Sequence, residues 1–313
     1  MPDRRSLVLP ILTVGCLLCA GLFIAVYRGD LPQSELVRKY ANEESEFTDV
    51  ADMRVHFRDE GSGDRVLLLL HGIGASLHTW DGWIQPLEYD HRILRVDLPG
   101  FGLTGPNPNG DYSIQAYIDF LDRFLDKLDV QSIDIAGNSL GGQIAWNYAL
   151  ARPERVRRLV MIDAAGYPRA DNAPTGTVLR LARLPLVNNL LTMLTPRSLV
   201  ADSLREVYGD PSRLTDGVVD RYYELARRQG NRQAFIERAL ATSIDRNGDH
   251  RKLTQPVLIL WGAEDRWIPL EDGRAFANDI AGARLIVYPG VGHIPMEELP
   301  GPTARATLTF LRE

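Results

Sequence analysis

Short apolar runs alternate with stretches of helical periodicity through most of this chain, and that alternation restricts its fold more than any other feature. Residues 66–70 (Val-Leu-Leu-Leu-Leu) form an unbroken apolar run of strand length, and similar runs lie at 93–96, 133–136, 159–162, 257–260 and 285–288. A strand that is apolar on both faces must be covered on both, as in a parallel sheet flanked by helices. Between these runs, residues 114–128 and 144–151 carry apolar side chains at helical spacing. Alternation at this interval predicts an α/β architecture with a mostly parallel sheet. Residues 54–58 instead alternate polar and apolar, as an edge or half-buried strand does, and 60–64 (Glu-Gly-Ser-Gly-Asp) is a turn cluster.

The rhythm breaks between Ala164 and Gln255. Helical stretches occur at 178–194, which Pro185 must interrupt, and at 218–229 and 231–244, with no strong strand run among them. This predicts a helical insertion over 165–253, set between core segments 49–164 and 254–313. The length of 313 residues suits one large domain or two modest ones. With 45% hydrophobic and 24% charged residues, the composition is that of a globular protein and excludes disordered and collagen-like classes. A net charge of −6 gives no basic footprint for nucleic acid. The two cysteines, Cys16 and Cys19, both lie near the N-terminus, which excludes a disulfide framework, a cysteine metal site and a cysteine nucleophile in the rest of the chain.

Residues 7–27 contain no charged side chain, and these 21 residues are long enough to cross a bilayer core of about 30 Å as a helix. Arg4 and Arg5 precede the run, so residues 1–30 are expected to form a membrane anchor with a cytoplasmic N-terminus and the rest of the chain on the extracytoplasmic side. A cleaved signal is the alternative, giving a secreted or periplasmic protein, but Ala25-Val26-Tyr27 matches a cleavage site poorly. A lipoprotein site at Gly15-Cys16 fits only in part, because Thr13 stands where that signal carries an aliphatic residue. Residues 31–48 are polar and are expected to form a short helix or linker.

Gly137-Asn138-Ser139-Leu140-Gly141 matches G-x-S-x-G and lies between the run at 133–136 and a helical stretch. In that setting a sharp strand-to-helix turn exposes the serine hydroxyl, and the flanking glycines let strand and helix approach closely. Serine needs a base, and the base needs an orienting acid, to act as a nucleophile at neutral pH. Glu264 and Asp265 follow the run at 257–260, and His293 follows the run at 285–288. Both groups leave the same edge of the sheet as Ser139, where open α/β sheets bind ligands. Of the six histidines only His293 has this placement; His56, His91 and His250 suit surface or structural roles. The glycine-rich turn His71-Gly72-Ile73-Gly74 follows the run at 66–70 and can aim a backbone N–H at a developing oxyanion. The N–H of Leu140 is the second donor, and His71 and Gly72 support the loop.

Together with Asp97-Leu98-Pro99-Gly100-Phe101-Gly102, these motifs resemble those of α/β-hydrolase-fold serine hydrolases over residues 47–313. The resemblance implies Ser139 as nucleophile, His293 as base and Asp265 as orienting acid, with Asp163 in reserve. It implies oxyanion amides from Ile73 and Leu140, and a helical cap over 165–253 that sets substrate choice. No cofactor or metal is implied.

The fold hosts many reactions. Aspartate nucleophiles mark the dehalogenases and epoxide hydrolases of this fold, and Ser139 sets the chain apart from them. Cleavage of a small carboxylic ester with an apolar acyl group is the leading expectation, because the motifs are similar to those of bacterial lipases and esterases. The alternative is carbon–carbon hydrolysis of the meta-cleavage-product type. Those enzymes typically place an aromatic residue after the catalytic histidine, where this chain has Ile294. A non-catalytic binding protein on the same fold is a further alternative, which retention of all three triad residues disfavours. Oligomeric state is not encoded in any of these features.

Overall fold

A computed structural model describes residues 27–168, 176–241 and 249–313. The expected membrane-spanning segment, residues 7–27, lies outside the described residues except for Tyr27. Among the described residues no helix is long and apolar enough to cross a membrane.

Helix α1 (Gln33–Tyr40) opens the described chain and buries Leu36 against Leu103 and Leu225. Strands β1 (Ser45–Val50), β2 (Met53–Glu60), β3 (Arg65–Leu70) and β4 (His91–Val96) follow. Strand β1 begins inside the segment read as a linker. Its signal is weak because it is an edge strand whose residues, apart from Phe47 and Val50, are polar or charged. Helix α2 (Ile114–Lys127), strand β5 (Ile133–Asn138), helix α3 (Leu140–Ala151) and strand β6 (Val156–Ile162) complete the first part of the core.

Among the described residues, five helices then precede the return to the sheet: α4 (Thr177–Arg183), α5 (Val187–Leu191), α6 (Arg197–Val207), α7 (Asp216–Ala226) and α8 (Asn231–Leu240). Pro185 separates α4 from α5, as its missing N–H requires. Strand β7 (Val257–Gly262), helix α9 (Leu270–Asp279), strand β8 (Arg284–Tyr288), the single turn α10 (Pro295–Glu298) and helix α11 (Pro300–Arg312) end the chain.

The sheet has eight strands in the order β1-β2-β4-β3-β5-β6-β7-β8. Strand β2 is antiparallel to both its neighbours, and all other pairs are parallel. Leu67, Leu68, Leu69 and Leu70 are fully buried, as a central strand covered on both faces requires. Helix α2 supplies part of that cover: Ile114, Tyr117, Ile118, Leu121, Phe124 and Leu125 form its buried stripe, and the Ser113 hydroxyl caps it by accepting from Ala116 N–H at 3.2 Å.

The insertion is bound to the core by polar contacts beside the site. Glu297 on α10 accepts from Arg221 at 2.5 Å and from Tyr222 at 2.9 Å, both on α7, and from Thr79 at 2.6 Å. Glu298 accepts from the N–H groups of Gly209, Asp210 and Gly292.

Candidate active site

Ser139 joins β5 to α3 at φ 54° and ψ −113°, a backbone conformation that L side chains rarely adopt. The turn is tight enough to specify its glycines. A Cβ on Gly141 would lie 2.2 Å from the Leu70 carbonyl oxygen, and one on Gly137 would lie 2.2 Å from that of Gly141. The resulting corner presents the Ser139 side chain to a cavity between core and insertion.

His293 follows β8 and lines the same cavity. Its Nδ1 lies 2.6 Å from Asp265 Oδ2, with both side chains buried. The other carboxylate oxygen of Asp265 accepts from the N–H groups of Trp267 at 2.7 Å and Ile268 at 3.0 Å, which fixes its plane. Nε2 of His293 has no hydrogen-bond partner among the described residues. Ser139 and His293 share the cavity wall without a hydrogen bond between them, an arrangement common in substrate-free sites. Of the adjacent acids Glu264 and Asp265, Glu264 is exposed while Asp265 meets the imidazole.

Asp163, the reserve acid, is fully buried at φ 43° and accepts from Gly262 N–H at 3.0 Å. One ligand atom from each of Asp163, Asp265 and His293 falls within 4.8 Å of the others. Burial, and then the charge of Asp265, push the Asp163 carboxyl well above its ordinary value of 3.8 beside the Asp265–His293 pair. Three such groups are a geometrically possible metal set. Both oxygens of Asp265 are engaged by the two backbone N–H groups and the imidazole, which matches an orienting acid better than a metal ligand.

The turn after β3 lies against the serine: a Cβ on Gly72 would be 3.3 Å from Ser139 Cβ, and Ile73 lines the cavity. Leu140 is the first residue of α3, so its N–H is among those that a helix start leaves without an intrahelical acceptor. His71 braces this turn. Its Nε2 accepts from Leu98 N–H at 3.0 Å, which leaves Nδ1–H to donate to the Gly72 carbonyl at 2.8 Å. Burial lowers the pKa of His71 and keeps the ring neutral.

Several supporting residues carried no sequence signal specific enough to assign. Asn138 donates to the His293 carbonyl at 2.9 Å and to that of Ile162 at 3.2 Å, tying the serine corner to the histidine loop. His293 N–H donates to the Val207 carbonyl at 2.7 Å, which joins that loop to α6. His56 is buried, with Nδ1 2.7 Å from Asp97 Oδ2. Asp97 also accepts from Leu77 and Leu103 N–H, fixing the loop whose Phe101 and Gly102 wall the cavity. His91 opens β4 as a buried residue, and His250 is buried against Tyr167 and Asp279.

Among the described residues the cavity wall is mostly aliphatic and aromatic, and no Asp, Glu or Lys lines it. Its one guanidinium, Arg232, donates to the Arg28 carbonyl at 2.8 Å and to Asp30 at 2.7 Å.

A family model described as the alpha/beta hydrolase fold matches residues 65–300. A 2-hydroxy-6-oxononadienedioate/2-hydroxy-6-oxononatrienedioate hydrolase of Cupriavidus pinatubonensis is 30% identical over 274 residues, covering 83% of this chain and 91% of that protein. The crystal structure of a meta-cleavage product hydrolase from Pseudomonas fluorescens superposes with a TM-score of 0.74 at 26% identity, covering 87% of this chain and 99% of that one. A bacterial membrane phospholipase A has the same fold, with a TM-score of 0.74 at 24% identity over 99% of this chain and 98% of the other.

Proposed function

The chain belongs to the alpha/beta hydrolase fold family, and from that premise we propose that it is a serine hydrolase with Ser139 as nucleophile, His293 as base and Asp265 as orienting acid. One observation carries the proposal: His293 Nδ1 is held on Asp265 at 2.6 Å while Nε2 is left unpaired in the cavity that Ser139 borders. In this reading Ser139 Oγ attacks a substrate carbonyl carbon as Nε2 takes its proton. The oxyanion is met by the backbone N–H groups of Ile73 and Leu140. His293 then returns the proton to the leaving group, and water releases the acyl group by the same steps in reverse. Loss of one oxyanion donor typically costs about 3 kcal/mol of transition-state stabilisation.

For the substrate, the cavity favours an ester with an uncharged, apolar acyl chain. A dianionic substrate would need free cations at the wall, and Arg232, the guanidinium that lines it among the described residues, is already engaged by Asp30 and the Arg28 carbonyl. The second reading is carbon–carbon hydrolysis of a meta-cleavage product. The named activities of the relatives support it better than they support ester cleavage. We place the catalytic body on the extracytoplasmic side of a membrane, held by residues 7–27 as an anchor. The uncharged run and the preceding arginines support this. Resistance to carbonate washing, with protease sensitivity of the body in intact cells, is the expected result; release by the wash would refute the anchor.

The deciding experiment offers the full chain p-nitrophenyl esters of increasing acyl length alongside a dienoate carbon–carbon substrate. Turnover rising with acyl length is expected. Cleavage of the dienoate alone would replace the ester reading with the second. Ser139→Ala should lower kcat by about 10⁵-fold, and undiminished turnover in that variant would remove Ser139 from the mechanism.

A further inference from the structure

The large hydrophobic side chains exposed among the described residues are not scattered. Eight are exposed, and six of them belong to one region: Leu184, Leu186, Leu190, Met193 and Leu240 of the insertion, with Tyr27 joined to them. Hydrogen bonds join their segments. Arg28 N–H meets the Met193 carbonyl at 3.1 Å, Asn188 N–H meets that of Leu184 at 3.0 Å, and Met193 N–H meets that of Leu190 at 3.0 Å. Arg183 Nε donates to the Ala239 carbonyl at 3.2 Å, which brings the end of α4 against the end of α8. Leu186 is 77% exposed, more than its neighbours in the patch. Isolated exposed leucines need no explanation, but a cluster of this kind marks an interaction surface.

Three further observations identify what covers it. First, the charge is one-sided: residues 177–195 contain Arg180 and Arg183 and no Asp or Glu. At the border, Asp30 is paired with Arg232. Second, Tyr27 is the last residue of the uncharged run, so the 26 residues that precede the described chain leave from within the patch. Third, the elements that turn these side chains outward also turn Leu191, Phe235 and Ile236 inward, onto the catalytic cavity.

We infer that this patch docks the catalytic body on a lipid bilayer carrying anionic headgroups, so that an acyl chain enters the cavity between α5 and α8 from the membrane side. Leucines at the acyl boundary with arginines at headgroup level are the pattern of an interfacial surface. The identity of the entering chain rests on the hydrolase reading above; the docking does not.

The test uses the full chain with Cys16→Ser and Cys19→Ser, reconstituted into phosphatidylcholine vesicles with and without phosphatidylglycerol. A fluorophore is attached at Leu190→Cys or, as a control, at Tyr89→Cys. Tyr89 is 81% exposed and precedes β4, at the sheet edge opposite the site. Spin-labelled lipid should quench position 190 several-fold more than position 89, and more strongly with phosphatidylglycerol present. Leu186→Asp with Leu190→Asp should slow hydrolysis of a vesicle-borne long-chain ester by about tenfold, with a soluble short-chain ester changed by less than about twofold. Equal quenching at the two positions would overturn the inference. So would emission at 190 that follows protein density rather than quencher, because a second copy would then cover the patch. Quenching at 190 in a protein that turns over no ester would count against the proposed reaction and in favour of the docking.

Discussion

Replacing Ser139 by glycine and by alanine separates backbone strain from chemistry at one position. Both variants lose the hydroxyl, which makes no hydrogen bond among the described residues, so both should lose activity alike. They differ in backbone freedom. At φ 54° and ψ −113° the chain holds a conformation of the first central position of a type II′ turn, which favours glycine. Holding an L residue there costs about 1–3 kcal/mol. Glycine removes that cost but gains freedom in the unfolded chain, which offsets about 0.5–1 kcal/mol. The expected net effect is that Ser139→Gly is about 1 kcal/mol more stable than Ser139→Ala, which at this chain size raises Tm by about 2 °C. Paired urea denaturation and calorimetry at one pH would measure it. A glycine variant equal to or less stable than the alanine variant would refute the claim that the fold strains this residue to expose its side chain.

The remaining predictions concern buried charge. Asp163 has a folded-state pKa raised above 3.8 by burial and by Asp265, so the folded form keeps a proton that the unfolded chain sheds. Its favourable contribution is complete below about pH 4 and is lost as pH rises towards the raised value. Wild type should therefore lose stability relative to Asp163→Asn as pH rises above about 4, and parallel Tm profiles of the two proteins would contradict the upward shift. Glu297→Ala leaves Arg221 buried without its ion-pair partner and should destabilise the protein by about 3 kcal/mol. A loss under about 1 kcal/mol in urea denaturation would show that the insertion is held by other contacts.

The periodicity of the chain marked the central strands directly, because β3 to β7 are largely buried and each carries a run of apolar residues. It missed β1, where an edge strand needs few apolar residues, and it missed α6. The serine corner was legible because Gly137 and Gly141 are imposed by contacts as short as 2.2 Å, so the geometry is written into residue identity. Supporting roles were not. Asn138 is one more polar residue in a motif until its amide is seen to reach the His293 carbonyl 155 positions away. His56 sits in an alternating strand, and its partner Asp97 is 41 residues distant.

Local sequence thus determined which elements form and which residue types stand at their ends, since both follow from burial periodicity and from backbone sterics within a few residues. Tertiary structure alone decided that Asp163 is buried beside the Asp265–His293 pair with its pKa raised, and that the cavity's guanidinium is engaged. Those outcomes depend on distances between segments far apart in the chain. Hydrogen bonding and desolvation act over a few ångströms of space, and residue order does not record that separation.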